Sequence, residues 1–215
     1  MIAVIVLDFD GVILESVDVK TEAFRRLFLQ HPDHLESILD FHRENGGMSR
    51  FDKFRHIYAH ILKQPLSGDE FESLCRRFAE LVLEGVLSAP FVHGAPEFLK
   101  AMHRRVPLYI VSATPEDEIR RIVARRGLDS YFSGVYGSPG TKAAAIGTIL
   151  AGEGVPPSSA LFVGDAVNDL EAAQATGVRF AARVRPGDRN RFAGRAGIDC
   201  TVPDLEELLR LLAAG

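Results

Sequence analysis

Cysteine is scarce in this sequence. Its 215 residues include only Cys75 and Cys200, which are far apart and belong to no Cys/His cluster. This scarcity argues against a zinc site and against a disulfide framework. Two well-separated thiols in a chain of this length are typical of a reducing cytosol. We therefore expect both cysteines to be small apolar residues of the core.

Long apolar segments and an excess of basic charge are also missing. No apolar run approaches the ~20 residues that span a bilayer, and the segment before Asp8 has neither a basic leader nor a small-residue cleavage site. The formal net charge of −4 gives no reason to expect nucleic acid, which selects for basic faces. We expect a cytoplasmic protein, monomeric or a small homo-oligomer, that binds neither membranes nor nucleic acid.

Short apolar runs alternate with helical patterns along most of the chain. Residues 2–7 form a continuous β-branched run, which is typical of a strand buried on both faces, and similar runs stand at 108–111, 160–163 and 178–184. Apolar residues make up 47% of the sequence, so a core of useful size can be buried. The alternation predicts an α/β fold with a Rossmann-like parallel sheet and helices on both faces.

One helix start has its own signature. Thr114 precedes Pro115, and acidic residues follow at positions 116 and 117. Threonine suits an N-cap, proline suits the first helical position, and acids suit the first turn. We therefore predict that Thr114 caps a helix that ends at Gly127.

Residues from about 17 to 86 interrupt the alternation. They have helical spacing, as in Phe24, Leu27 and Phe28, and no strand-like run. Ser67 to Glu70 has the pattern of a capping box before another helix. We predict a core domain formed by residues 1–15 and 87–215 and a separate helical domain formed by residues 16–86, called the insert below.

Polar residues follow the predicted strands at one edge of the sheet, where ligands bind to open parallel sheets. They are Asp8, Asp10 and Gly11 after the first strand, Ser112 to Thr114 after the second, Gly164, Asp165 and Asp169 after the strand at 160–163, and Lys142 at the start of the preceding helix. Oxygen ligands without histidine or cysteine suit Mg²⁺, and an adjacent lysine and hydroxyl suit a phosphoryl group. Singly, each could be a solvated turn, a helix cap or a helix N-terminal charge; the ordered combination favours a site.

Four segments resemble the motifs of the haloacid dehalogenase-like (HAD) superfamily. They are Asp8-Phe9-Asp10-Gly11-Val12, Val111-Ser112-Ala113-Thr114, Thr141-Lys142 and Gly164-Asp165-Ala166-Val167-Asn168-Asp169. Their order and spacing, and the helical insert after the first motif, agree with that family over the whole chain. The resemblance implies a HAD-like core with a helical cap. It also implies a Mg²⁺-dependent phosphatase for a small phosphorylated metabolite, such as a sugar phosphate or phosphoglycolate, acting through an aspartyl-phosphate.

The resemblance implies that three aspartates carry the chemistry. Asp8 is the nucleophile, and Asp10 protonates the leaving oxygen and then activates water. The metal ligands are Asp8, the backbone carbonyl of Asp10, and Asp165.

Four further residues are implied to support them. Ser112 and the amide of Ala113 hold phosphoryl oxygens, and Lys142 pairs with Asp8 and with the transferring group. Asp169 orients metal waters or Lys142.

Two positions depart from the family pattern. Val12 stands where many members have threonine, which removes one hydroxyl contact. Glu15 stands where aspartate is usual, at the joint with the insert. The family pattern does not predict how this longer side chain affects closure of the insert over the site.

The turn from Gly46 to Arg50 leaves two interpretations open. It resembles a cap loop of β-phosphoglucomutases, which makes Gly47 and Arg50 candidates for substrate specificity and a phosphomutase the alternative function. Equally, Ser49 is an N-cap and Arg50 an exposed first-turn residue. His56 and His60, one helical turn apart, have no acidic third ligand, and we predict a solvated or partly packed face rather than a metal site.

Overall fold

The computed structural model describes residues 2–214, and within that range helices separate most of the consecutive strands. The strands are Val4–Leu7 (β1), Leu108–Pro115 (β2), Gly134–Ser138 (β3), Ala160–Gly164 (β4), Arg179–Arg183 (β5) and Cys200–Val202 (β6). The helices are Val17–Leu27 (α1), Leu35–Glu44 (α2), Arg50–His56 (α3), Gly68–Ser88 (α4), Ala95–Met102 (α5), Glu116–Arg125 (α6), Lys142–Glu153 (α7), Val167–Thr176 (α8) and Leu205–Ala214 (α9). A π-helical segment, Ile57–Leu62, continues α3, and short 3₁₀ turns occupy Pro32–His34, Asp129–Tyr131 and Pro157–Ser159.

The strands form one parallel sheet in the order β3-β2-β1-β4-β5-β6, which confirms the predicted fold class. Strand β1 is central, and all four of its residues are buried. Leu7 at its end is in register with Ile110 of β2 and Val163 of β4. The residues that follow these three strands therefore meet at one edge of the sheet.

The two outermost strands, β3 and β6, are absent from the sequence-based prediction. Strand β3 contains two glycines among its five residues, and β6 is only three residues long. Neither has the apolar run that marks a strand buried on both faces, and each has a neighbouring strand on one side only.

The predicted start of α6 was wrong. Thr114 lies in β2, the helix begins at Glu116, and Pro115 is the residue that precedes it. The strand continues because Pro115 still pairs with Ser138 of β3 across a register shift. The hydroxyl of Thr114 accepts a hydrogen bond from Lys20 Nζ and does not cap the backbone of α6.

The insert comprises α1 to α4 with the π-helical segment, placed between β1 and β2. Four phenylalanines pack with ring centroids 5.1 to 6.2 Å apart: Phe24 of α1, Phe28 directly after α1, Phe54 of α3 and Phe78 of α4. Their cluster is continuous with the apolar side chains beneath β1. The assignment of residues 16–86 to a separate domain stays a prediction.

Two predicted caps in the insert are present. The hydroxyl of Ser49 accepts from the amide of Asp52, and that of Ser67 accepts from the amide of Glu70. The second is half of a capping box, because the Glu70 carboxylate accepts from the hydroxyl of Tyr58 instead.

Two expectations from composition can also be compared with the structure. Cys75 and Cys200 are both unpaired and partly buried. Among residues 2–214, none of the helices combines the length and the apolar character needed to cross a bilayer.

Candidate active site

A cavity of about 1090 Å³ lies between the edge of the sheet and the insert. Asp8, Asp10, Ser112, Ala113 and Asp165 line it from the carboxyl ends of β1, β2 and β4. The insert closes the other side with residues that include His42, Arg50 and Lys53. Most of the polar residues predicted from the strand ends therefore share one cavity.

Lys142 joins two of the predicted carboxylates. Its Nζ lies 2.6 Å from Asp8 Oδ2 and 2.5 Å from Asp169 Oδ1, and its side chain is only 8% exposed. Helix α7 begins at this lysine, and Thr141 caps it by accepting from the amide of Ala144. Burial alone would lower the pKa of Lys142, but Asp169 and Asp8 outweigh it and raise that pKa. Lys142 therefore carries its charge at neutral pH.

Asp169 organises the loop that follows β4. It is fully buried, and its Oδ2 accepts from the amides of Asp165 at 3.2 Å and Ala166 at 3.0 Å. A Cβ at Gly164 would lie 2.3 Å from the Asp169 Cβ, so glycine is required for this approach. Both Asp169 oxygens are thus occupied by Lys142 and by backbone donors.

The acidic groups at this edge are close together. Asp8, Asp165 and Asp169 each offer a carboxylate oxygen within 4.8 Å of the others. Burial, followed by repulsion from Asp169 and other carboxylates, raises the pKa of Asp165 to about 8. Burial likewise raises the pKa of Asp8 to about 7 against the opposing effect of Lys142. Hard oxygen donors that repel each other in a buried place fit a divalent cation such as Mg²⁺, with Asp8 and Asp165 the available ligands.

Gly11 allows the first motif to approach Asp165. Its φ is +74°, in the left-handed region, and a Cβ there would lie 2.3 Å from Asp165 Oδ2. Any larger residue would push the carboxylate away from its place beside Asp8.

Asp10 is held by residues that the sequence analysis missed. Ser16 donates to its Oδ1 at 2.5 Å, and Lys20 is ion-paired with its Oδ2. Lys20 Nζ also donates to Thr114 Oγ1 at 2.8 Å. Burial would raise the pKa of Asp10, but Lys20 and these hydrogen bonds lower it overall. Ser16 and Lys20 are four residues apart at the start of α1, a spacing that puts both on one helix face and is the signal that could have identified them.

Ser112 is 3% exposed and is held in place by its neighbour. Its Oγ accepts from the amide of Thr114 at 3.2 Å. Ala113, between them, also lines the cavity. The strand end therefore presents an ordered hydroxyl in the cavity that Asp8 and Asp10 also line.

Arg50 is buried, so its interpretation as an exposed first-turn residue was wrong. Its guanidinium is ion-paired with Glu118 of α6, donates to the carbonyl of Cys75 at 3.3 Å, and lies 5.0 Å from the ring centroid of Phe78. Arg50 therefore ties the insert to α6 at the cavity wall. Its contact with a substrate stays a prediction.

Gly47 packs against the core. A Cβ at this position would lie 2.9 Å from the Cβ of Asn168 and 3.3 Å from that of Ala166. Its neighbours Gly46 and Met48, rather than Gly47 itself, line the cavity. The turn thus lies directly against the loop that carries Asp165.

Glu15 has a buried partner. Its carboxylate is ion-paired with Arg183, whose side chain is 4% exposed and whose guanidinium also donates to the Gly11 carbonyl at 3.2 Å. The longer side chain therefore connects the joint of the insert to β5.

The two insert histidines lie side by side, with His56 and His60 ring centroids 4.5 Å apart and His56 stacked on Phe41 at 4.1 Å. Within residues 2–214, they belong to no group of three converging ligand side chains.

The chain is similar to known hydrolases in sequence and in fold. A family model described as haloacid dehalogenase-like hydrolase matches residues 2–177. Phosphoglycolate phosphatase 1 of Pseudomonas aeruginosa is 26% identical over 214 residues, which cover 95% of this chain and 78% of that protein. A crystal structure described as a predicted phosphoglycolate phosphatase from Haemophilus somnus has a TM-score of 0.79 at 19% identity and covers 98% of both chains. The magnesium-bound HAD-hydrolase YfnB from Bacillus subtilis has a TM-score of 0.71 at 17% identity and covers 99% of both.

Proposed function

The chain belongs to the haloacid dehalogenase-like hydrolase family, and we propose that it is a Mg²⁺-dependent phosphatase. Its substrate is a small phosphomonoester of the sugar phosphate or phosphoglycolate type, and its intermediate is an aspartyl-phosphate on Asp8. The observation that carries the proposal is Asp8 at the cavity edge, 2.6 Å from the buried ammonium of Lys142 and beside Asp165. The phosphatase names of its relatives support the same reaction class.

In the first step, a carboxylate oxygen of Asp8 forms a bond to phosphorus as the ester P–O bond breaks. Lys142 offsets the negative charge of Asp8 against an anionic substrate. The Ser112 hydroxyl and the Ala113 amide bind phosphoryl oxygens. The departing alkoxide takes a proton from Asp10 and leaves as an alcohol.

In the second step, water attacks the phosphorus of the aspartyl-phosphate and gives its proton to Asp10. The bond between phosphorus and Asp8 breaks, and inorganic phosphate leaves. Ser16 and Lys20 keep the Asp10 carboxylate in one orientation for both proton transfers. Because Lys20 lowers the pKa of Asp10, the protonated form gives up its proton readily to the leaving oxygen.

Asp8, Asp165 and the backbone carbonyl of Asp10 would hold Mg²⁺. The ion supplies positive charge that reduces repulsion between Asp8 and the phosphoryl group. Asp169 acts by fixing Lys142 and the Asp165 loop.

Turnover of p-nitrophenyl phosphate with Mg²⁺ or with EDTA tests the proposal. We expect metal-dependent phosphate release that Asp8→Asn lowers by a factor of about 10³ or more, because the amide is not a nucleophile. Asp33→Asn, at an exposed position, is the matched control. Turnover that survives in Asp8→Asn would show that another group attacks phosphorus. No metal-dependent activity on this ester or on a panel of metabolite phosphates would contradict the phosphatase proposal.

A phosphomutase is the alternative that the turn ending at Arg50 could favour. Arg50 is engaged by Glu118 in this structure, so the phosphatase is the better-supported reaction. Supplying a sugar monophosphate with its bisphosphate separates the two, because a mutase yields an isomerised sugar phosphate and a phosphatase yields free phosphate.

A further inference from the structure

Lys53 is a buried cation that the proposed reaction leaves unused. It lies on α3 of the insert, is 3% exposed, and lines the same cavity as Asp8 and Ser112. Its position on the insert, across the cavity from the sheet edge, is where the leaving group of a phosphate ester would lie.

Lys53 differs from the other cations at or near the cavity in its partners. Lys20 and Arg50 are each ion-paired with a carboxylate, and Lys142 with two. Among residues 2–214, no carboxylate is within ion-pair distance of Lys53. Among the described residues its ammonium has hydrogen-bond partners only in His42, at 3.1 Å from Nδ1 and 3.3 Å from the carbonyl oxygen, and it lies 5.5 Å from the ring centroid of Phe24. A buried charge without an anion is costly, which indicates a site built to receive one.

His42 adds a neutral donor to this place. Burial, followed by Lys53, lowers the pKa of His42 to about 2, so the ring is uncharged. Because Nδ1 accepts from Lys53, the proton of the neutral ring is on Nε2. Burial and then Lys20 lower the pKa of Lys53 to about 7. The pair therefore offers at most one positive charge and two kinds of N–H donor, which matches a carboxylate better than a dianionic phosphate.

The size of the cavity indicates how large a substrate can lie between the phosphoryl site at Asp8 and the ammonium of Lys53. Its volume of about 1090 Å³ lies just above the range of roughly 300–1,000 Å³ typical of sites for drug-sized ligands. A two-carbon acid would leave most of it to solvent. A polyhydroxy chain would occupy more of the space and bring further hydroxyls to the polar wall.

We propose that Lys53, with His42, binds a carboxylate on the leaving group, so that the substrate is the phosphate monoester of a sugar acid. This inference rests on the proposed phosphatase function. It makes Lys53 a specificity residue: it contacts the end of the substrate away from the phosphorus, whereas Asp8 and Asp10 act on the phosphoryl group.

The test compares 6-phosphogluconate with sorbitol 6-phosphate, which have the same carbon chain and differ in one carboxylate. Affinity is measured by calorimetry with Mg²⁺ in the Asp8→Asn background, where no turnover is needed, and kcat/KM is measured in the active enzyme. We expect the acid to be preferred by about 10-fold or more, since a hydrogen bond to a charged group contributes on this scale.

Lys53→Gln removes the charge and keeps an N–H donor for His42, so a merely structural role would be rescued. We expect this variant to reduce the preference to about 1- to 3-fold, and Lys53→Arg to keep part of it. Lys100→Gln, at an exposed position on α5, should leave the preference unchanged.

Equal affinity for the two esters, or an unchanged preference in Lys53→Gln, would overturn the inference. Equal hydrolysis of both esters would leave the phosphatase standing and reject the carboxylate subsite. A Lys53-dependent preference in binding without any phosphate release would support the carboxylate subsite and reject the phosphatase.

Discussion

Without Mg²⁺, this protein should lose stability as the pH rises from about 4 to about 7, and Mg²⁺ should restore it. The reason is the raised pKa of Asp8, about 7 in the folded state against 3.8 for an ordinary aspartate. Between these two values the folded state keeps a proton that the unfolded state has released. Stability therefore falls with rising pH through this range and stays low above it.

The size of the effect follows from the same values. A rise from 3.8 to about 7 corresponds to about 4 kcal/mol at 1.36 kcal/mol for each pH unit, which is an upper limit for Asp8. The pKa of Asp165, about 8, reflects in part the same repulsion, so the two contributions do not add. We expect a loss of about 2–4 kcal/mol, or roughly 5–15 °C in melting temperature for a chain of this size.

Thermal melts in EDTA and in MgCl₂, from about pH 4 to about pH 9, measure this loss. Because Mg²⁺ binds the ionised carboxylates, its stabilising effect should be small at about pH 5 and largest above pH 8. Asp165→Asn should remove most of the metal effect, and Asp33→Asn should leave it intact. A chelated protein whose melting temperature is constant or rises with pH would refute the reasoning, as would equal stabilisation by Mg²⁺ at every pH.

Two further substitutions probe the groups around the nucleophile. Lys20→Met should raise the pKa of Asp10 and so move the acid limb of the kcat–pH profile to higher pH. It should also lower kcat about 10-fold or more, because water activation needs the ionised carboxylate. An unchanged profile would contradict this role of Lys20. Gly11→Ala should weaken Mg²⁺ binding and cost about 1–2 kcal/mol more than Gly127→Ala in urea unfolding. Both glycines have positive φ, but only at position 11 would the Cβ meet Asp165, and nothing lies within 4 Å of a Cβ at position 127. Equal costs would show that the contact with Asp165 is unimportant.

The central strands and the residues that follow them were predictable from the sequence alone. A strand buried on both faces must be a continuous apolar run, and the polar residue that ends the run marks the sheet edge. This is why Asp8, Ser112 and Asp165 could be expected at one place, and the structure brings them to one cavity. The edge strands β3 and β6 escaped prediction because one is rich in glycine and the other is three residues long.

The partners of these residues were decided by the tertiary structure. Lys20 meets Thr114 across 94 positions of sequence, and that contact replaced the helix cap predicted for Thr114. Likewise, only packing shows that Arg50 is paired with Glu118 while Lys53 has no carboxylate beside it among the described residues. Helical spacing tells which residues share a face, but not what that face meets.

The position of the proposed nucleophile Asp8 follows from the sequence, whereas its protonation depends on the tertiary structure. The sequence by itself determined that Asp8 follows the first strand and that a lysine opens a later helix. Only the fold decided that Lys142 is 2.6 Å from Asp8, that both are buried, and that burial raises the pKa of Asp8 to about 7. The physical reason is that desolvation and Coulomb interactions depend on distances between groups far apart in the chain, which local sequence patterns do not contain.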